Sequence, residues 1–461
     1  MPVSRVRAGE WWLSSFGIEK ASSVTRGAGV KIGIVDTGTD TSQPDLHGVV
    51  AGGTDFSGHG NASGTKPVDG DDTGPEHGTS IAAFAAGRGH GSGNKLGIIG
   101  SAPAASVLSV STDGDETHDA QGVRWLVDHG AKVISLSFGS QKYPVFTAAV
   151  AYAEAHDVVV VAASGNGGGN GMGPPASYFG VMAVAGVDKN LASDPRSVYG
   201  SPYVGTTGPV VDYAGGTGVV GPFSDNPSTS DEMVGAALSS QGSYQYMAGT
   251  SYSAPVVAGI VALIRAKYPT MNAANVIKRL LHASQLQHPK APVGTWTAQM
   301  GFGVPNAYAA LTANVTSTCE NPLGSINGKG SYGIWSAIEH KTTYKPSCTN
   351  SPSSAPSSSA SSAGSAPASQ VSSSPAAAAS SRSSGTPAWV WIVIVVAVLL
   401  VGGLVALLLR RRGGHGGGGP GGPPPGGGGY PQGPPGGYPP RGAAAPGPPP
   451  PGWQQPGYGR R

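Results

Sequence analysis

Three residue types that together carry out acyl transfer stand in well-separated stretches of this 461-residue chain. A carboxylate, Asp36, ends the short apolar run Val30-Lys31-Ile32-Gly33-Ile34-Val35 and opens the turn Asp36-Thr37-Gly38. An imidazole, His77, begins Glu76-His77-Gly78-Thr79-Ser80-Ile81-Ala82-Ala83. A hydroxyl, Ser251, lies in Gly249-Thr250-Ser251-Tyr252-Ser253-Ala254-Pro255. A serine is a weak nucleophile until a base takes its proton, and the imidazole base needs a carboxylate to hold its tautomer and steady its cation. A lone serine ahead of a helix reads as an N-cap; the Asp and His stretches change that reading. The chain order is Asp, His, Ser, and residue 253 is Ser, so the G-x-S-x-G elbow of the α/β-hydrolases is absent.

These groups need rigid elements to hold them. Val256 to Ile264 is small, apolar and Pro-free, which predicts a buried helix with Ser251 at or just before its N-terminus. Pro255 sits early in that run, where a missing N–H costs little. Aliphatic runs predict strands over 30–35, 106–111, 132–137, 158–163 and 181–187. Small-residue periodic stretches predict helices over 78–87, 119–129, 145–156, 253–267 and 272–283. Such alternation implies a mostly parallel sheet covered on both faces, with ligands at the carboxyl ends of its strands. The Gly/Ser/Pro-rich stretch 188–240 shows no helical period and reads as a surface excursion. Trp11-Trp12-Leu13 and Phe16-Gly17-Ile18 are expected to cover one side of the domain.

Taken together, D-T-G, H-G-T and G-T-S-x-x-x-P resemble the motifs of the subtilisin-like serine proteases (subtilases, peptidase S8), over about residues 11 to 312. The resemblance implies a subtilisin-like three-layer α/β fold and a serine endopeptidase using Asp36, His77 and Ser251. It makes Asn166, after Val158-Val159-Val160-Val161-Ala162-Ala163-Ser164-Gly165, the side-chain donor of an oxyanion hole. It also implies that Ser137, Phe138 and Gly139, with Ala163, Ser164 and Gly165, wall the pocket for the side chain before the scissile bond. The segment near Val110-Ser111-Thr112 would be the opposite rail for an extended substrate. The chemistry requires no cofactor. Some subtilases hold structural calcium in surface loops, and the loop 54–76 carries Asp69, Asp71 and Asp72. It lacks the D-x-D-x-D-G pattern, so a solvated acidic loop is expected, with a calcium site as the alternative.

Charged residues make up only 11% of the chain and the formal net charge is +3, with no Lys/Arg block in the domain, so nucleic acid is not indicated as a partner. No His/Cys cluster suggests zinc. Beyond an N-terminal segment (1–27) and the peptidase domain (28–312), residues 313–348 form an extension holding both cysteines. A Cys319–Cys348 disulfide implies an oxidising compartment; two unpaired thiols are the alternative. Residues 349–387, Ser/Ala/Pro-rich, are expected to form a disordered stalk. Residues 388–409 are uncharged and apolar, long enough for a membrane span, with Trp389 and Trp391 at one end and Arg410-Arg411-Arg412 at the other. The Gly/Pro-rich 410–461 is expected to be a disordered cytoplasmic tail, and the peptidase domain extracellular. This layout resembles the mycosins, membrane-anchored subtilases associated with type VII secretion, which implies a secretion-machinery partner besides a protein or peptide substrate. No apolar stretch of about 7–15 residues precedes the domain, so an export signal is expected upstream of Met1. The competing reading is a catalytically silent subtilase-fold scaffold at the cell surface.

Overall fold

The computed structural model describes residues 6–325, apart from short gaps at 8, 71–72, 141–143, 201–202, 208–209, 215, 224–232, 242 and 288–289. These residues belong to the first of two compact units, Met1–Ser358 and Ser359–Arg461. The stalk, the apolar run 388–409, the tail and Cys348 lie outside the described residues. Cys319 is disulfide-bonded. Among the described residues no helix is long and apolar enough to cross a membrane.

Seven strands form one sheet: β1 (Lys31–Asp36), β2 (Val50–Asp55), β3 (Ser106–Ser111), β4 (Val133–Leu136), β5 (Val159–Ala163), β6 (Met182–Val187) and β7 (Val219–Pro222). Their spatial order is β7-β6-β5-β4-β1-β3-β2, and every pairing is parallel. A parallel sheet must be covered on both faces, and the strand side chains alternate accordingly. Val159, Val161 and Ala163 of β5 enter one core with helices α1 (His77–Ala86), α4 (Thr250–Lys267), α5 (Ala273–His282) and α6 (Ala307–Thr312). Val160 and Ala162 enter the other, beneath α2 (Glu116–Asp128) and α3 (Pro144–Ala155). Three layers result, as expected.

Two strands were not expected. β2 reads Val-Ala-Gly-Gly-Thr-Asp, which has no apolar run. Glycine is required there: a Cβ on Gly53 would lie 2.1 Å from the Ser109 carbonyl oxygen of β3. β7 corrects the reading of 188–240 as a surface excursion. Val219 and Val220 are fully buried at the sheet edge, and Met233, Val234 and Ala236 join the same core. Four residues between glycine-rich stretches are too short to show a period, so tertiary burial decided the matter. The rail near 110–112 is also corrected. Val110 and Ser111 are ladder-paired on both sides, to β1 and β2, so neither can take up a substrate strand.

The N-terminal segment covers the domain as expected. Trp12 and Phe16 are fully buried, and the Trp12 ring meets Phe84 of α1 at 5.2 Å. Phe84 in turn meets Tyr252 of α4 at 5.5 Å, and Tyr252 meets His77 at 5.6 Å. A line of rings therefore runs from the first residues to the imidazole.

Candidate active site

β1 stands where the sheet order reverses: β2 and β3 lie to one side, β4 to β7 to the other. A crevice opens at the carboxyl end of such a strand, and Asp36 is its last residue. Thr37 holds it there. The Thr37 N–H donates to Asp36 Oδ1 at 2.8 Å, while the Thr37 hydroxyl accepts from the Gly78 N–H at 2.9 Å. That second bond ties the start of α1 to the end of β1. Close approach needs Gly78, because a Cβ there would lie 2.3 Å from the Gly38 carbonyl oxygen.

His77, the first residue of α1, thereby meets Asp36: Nδ1 lies 2.8 Å from Oδ1 and 3.0 Å from Oδ2. A carboxylate accepts only, so Nδ1 carries the proton and Nε2 presents its lone pair. Both side chains are buried, with 6% of His77 and 7% of Asp36 exposed. Burial opposes the imidazolium, but the Asp36 charge, its hydrogen bond and Glu76 outweigh it, and the His77 pKa is raised.

α4 begins at Thr250, not at 253, so Ser251 is its second residue. Its N–H has no intrahelical carbonyl to bond. Pro255 lies inside the helix, which leaves the Ser251 carbonyl without the donor four residues on. Ser137 repairs this. Its hydroxyl donates to the Ser251 carbonyl at 2.8 Å, and the Ser251 hydroxyl donates to the Ser137 carbonyl at 3.0 Å. Among the described residues no hydrogen bond joins Ser251 to His77, although both line one cleft of about 310 Å³.

Asn166 lines the same cleft. Its Oδ1 accepts from the Thr250 N–H at 2.8 Å and the Thr250 hydroxyl at 3.0 Å. Two donors fix the amide's orientation and turn the Nδ2 donors the other way. Ser137, Phe138 and Gly139 also line the cleft. Ala163, Ser164 and Gly165 are not among the residues lining the cleft: Ala163 ends β5 in the core, the Ser164 hydroxyl donates to the Val198 carbonyl, and the Gly165 N–H donates to the Thr250 hydroxyl. The far wall is Thr112 and Gly114, just past β3, where the sheet ladder ends.

The 54–76 loop folds over the end of β1 through its own bonds. Asp55 accepts from the Ser57 hydroxyl and the Gly60 N–H, and the Val68 N–H donates to the Thr37 carbonyl. Asp71 and Asp72 lie outside the described residues. No group of three metal-ligating side chains occurs among those described.

Asp119 also lines the cleft and went unread in the sequence. It was expected at the start of its helix, but α2 begins three residues earlier, capped by Asp115, which accepts from the Thr117 and His118 N–H groups. Asp119 instead shares a face with Val123 and Leu126. A carboxylate at helical spacing on an apolar face was the available signal.

The fold is a doubly wound parallel sheet whose cleft at the reversal point is lined by a His–Asp pair and a serine. Residues 27–303 match the Subtilase family (Peptidase_S8), and the chain belongs to that family. Among its relatives, Thermitase of Thermoactinomyces vulgaris is 37% identical, over 53% of this chain and 78% of that protein. Subtilisin DY of Bacillus licheniformis is 35% identical, over 55% and 83% respectively. Among solved structures, MycP1 with its N-terminal propeptide removed matches at a TM-score of 0.52 and 23% identity, covering 67% of this chain and 98% of that one. That last likeness is one of fold.

Proposed function

We propose that Ser251 is the nucleophile, His77 the general base and Asp36 its orienting carboxylate in the hydrolysis of peptide bonds. The observation that carries this reading is the buried His77–Asp36 pair, with Nε2 left free in the cleft that Ser251 lines. At rest the Ser251 hydroxyl is parked on the Ser137 carbonyl. Rotation about χ1 turns it toward His77, as catalytic bonds often tighten only with substrate bound. Oγ then bonds to the peptide carbonyl carbon while Nε2 takes the proton. The oxyanion is received by Asn166 Nδ2 and the Ser251 N–H. The imidazolium gives the proton to the departing amine as the C–N bond breaks. Water then attacks the acyl ester, His77 again takes the proton, and acid and free Ser251 leave. An extended substrate lies between Ser137–Gly139 and the segment 112–114, adding backbone bonds to each.

Only neutral His77 can act as base. Its raised pKa therefore places the acid limb of kcat/KM above about pH 6.5, the ordinary histidine value, with activity rising through it. The linkage runs the other way for stability. The charged pair contributes fully below the unfolded pKa, and that contribution is lost as pH rises through the folded one. A pH–rate profile on a neutral peptide checks the first; a midpoint below 6 contradicts it.

The finer reading is a cell-surface, mycosin-like enzyme linked to type VII secretion. The apolar run 388–409, followed by Arg410-Arg411-Arg412, supports a single span with the peptidase domain outside. The test is labelling of intact cells expressing the full chain with a membrane-impermeant fluorophosphonate, with Ser251→Ala as control. Wild-type labelling that the variant lacks is expected. Labelling only after lysis overturns the topology; none in either condition favours the scaffold reading.

A further inference from the structure

We propose that Asp119 is the anchor of a subsite that selects a cationic side chain, Lys or Arg, at one position upstream of the scissile bond. The proposal rests on the peptidase reading above and names part of its substrate.

Asp119 belongs to α2, yet its carboxyl faces inward: only 3% of the residue is exposed, and it lines the same cleft as His77 and Ser251. Buried carboxylates are ordinarily paired or hydrogen-bonded. Asp119 Oδ1 has no hydrogen-bond partner, and no ion pair among the described residues involves this side chain. It is not needed as a helix cap, since Asp115 fills that role. The nearby imidazole of His118 is taken by Asp113 at 2.8 Å.

Its surroundings favour an incoming positive charge. Burial, then the charges of Asp36, Asp113 and Glu116, push its pKa up to about 7 against the Thr112 hydroxyl. A cation in the cleft would relieve both the desolvation and the mutual repulsion. Phe138 lines the same cleft. A lysine or arginine could lay its methylene stem on that ring and carry its charged end to the carboxylate. A metal ion is a poorer occupant, because it needs several converging oxygen ligands, and none cluster among the described residues.

The test uses the full chain and a set of quenched fluorogenic peptides that differ at one upstream position at a time. Each position carries Lys, Arg, norleucine, Gln or Glu. At one position Lys or Arg should exceed norleucine in kcat/KM by about 10- to 100-fold, the scale of a close buried charge pair. Asp119→Asn should bring that ratio close to one, and Asp119→Leu should turn it in favour of norleucine. Because each ratio is internal to one enzyme preparation, a change in the amount of folded protein does not move it. Cleavage that depends on Ser251 but shows no cationic preference overturns the subsite and leaves the peptidase reading standing. The same holds if a preference persists unchanged in Asp119→Asn. Absence of any Ser251-dependent cleavage overturns both.

Discussion

Ser251→Ala lowers turnover of a peptide substrate by about 10⁶, the scale that loss of the serine has in subtilisin. The size follows from the loss of covalent chemistry as a whole. Without Oγ no acyl-enzyme forms, and His77 has no serine proton to take. A residual acceleration of about 10³–10⁴ over water should survive, because the oxyanion donors and the cleft are untouched. For the same reason, adding His77→Ala to Ser251→Ala should lower turnover little further. Stability should hardly move. In the resting protein the hydroxyl makes one neutral hydrogen bond, to the Ser137 carbonyl, worth about 1 kcal/mol. Turnover measured beside a thermal melt separates the two effects. A Ser251→Ala protein that is folded and fully active would sink the mechanism.

Asn166→Ala and Asn166→Asp should each lower kcat by about 10²–10³ with KM little changed, again the scale of the corresponding donor in subtilisin. The pair matters more than either variant alone, because Asn166 does two things. Its Oδ1 accepts from the Thr250 N–H and hydroxyl, and so holds the first residue of α4. Its Nδ2 is the proposed oxyanion donor. Alanine removes both functions. Aspartate keeps the acceptor for Thr250 but replaces the donor with a negative charge facing the developing oxyanion. If Asn166 only held Thr250, Asn166→Asp would retain activity. Loss of kcat in both variants, with the melting temperature kept only by Asp, is the expected result.

Much of the site was legible in the sequence because each motif encodes a local necessity. Thr37 must clamp Asp36 to α1, Gly78 must let Gly38 approach, and Pro255 must free the carbonyl that Ser137 then takes. The five interior strands were legible for a related reason: strands buried on both faces read as unbroken aliphatic runs. The edge strands β2 and β7 were not, since one carries two adjacent glycines among six residues and the other is only four residues long. Asp119 escaped because the start of α2 was placed at it, which hid its helical spacing to Val123 and Leu126. The rail was placed slightly early, because where a strand leaves its ladder depends on neighbours far away in the chain.

The strand order carries a consequence for how the enzyme comes into being. Asp36 ends the central strand, but its neighbours β3 and β4 are encoded much later, and Ser251 later still. At about 5–20 residues per second, more than ten seconds of translation separate the carboxylate from the nucleophile. For most of that interval the nascent chain holds the proposed base, His77, and its partner with no serine to activate. Even once Ser251 has been made, α4 has no seat until β4 to β7 have formed the sheet face it covers. A ribosome-bound fragment that ends before α4 therefore lacks the proposed nucleophile, and the site is completed only when α4 docks on a sheet already made.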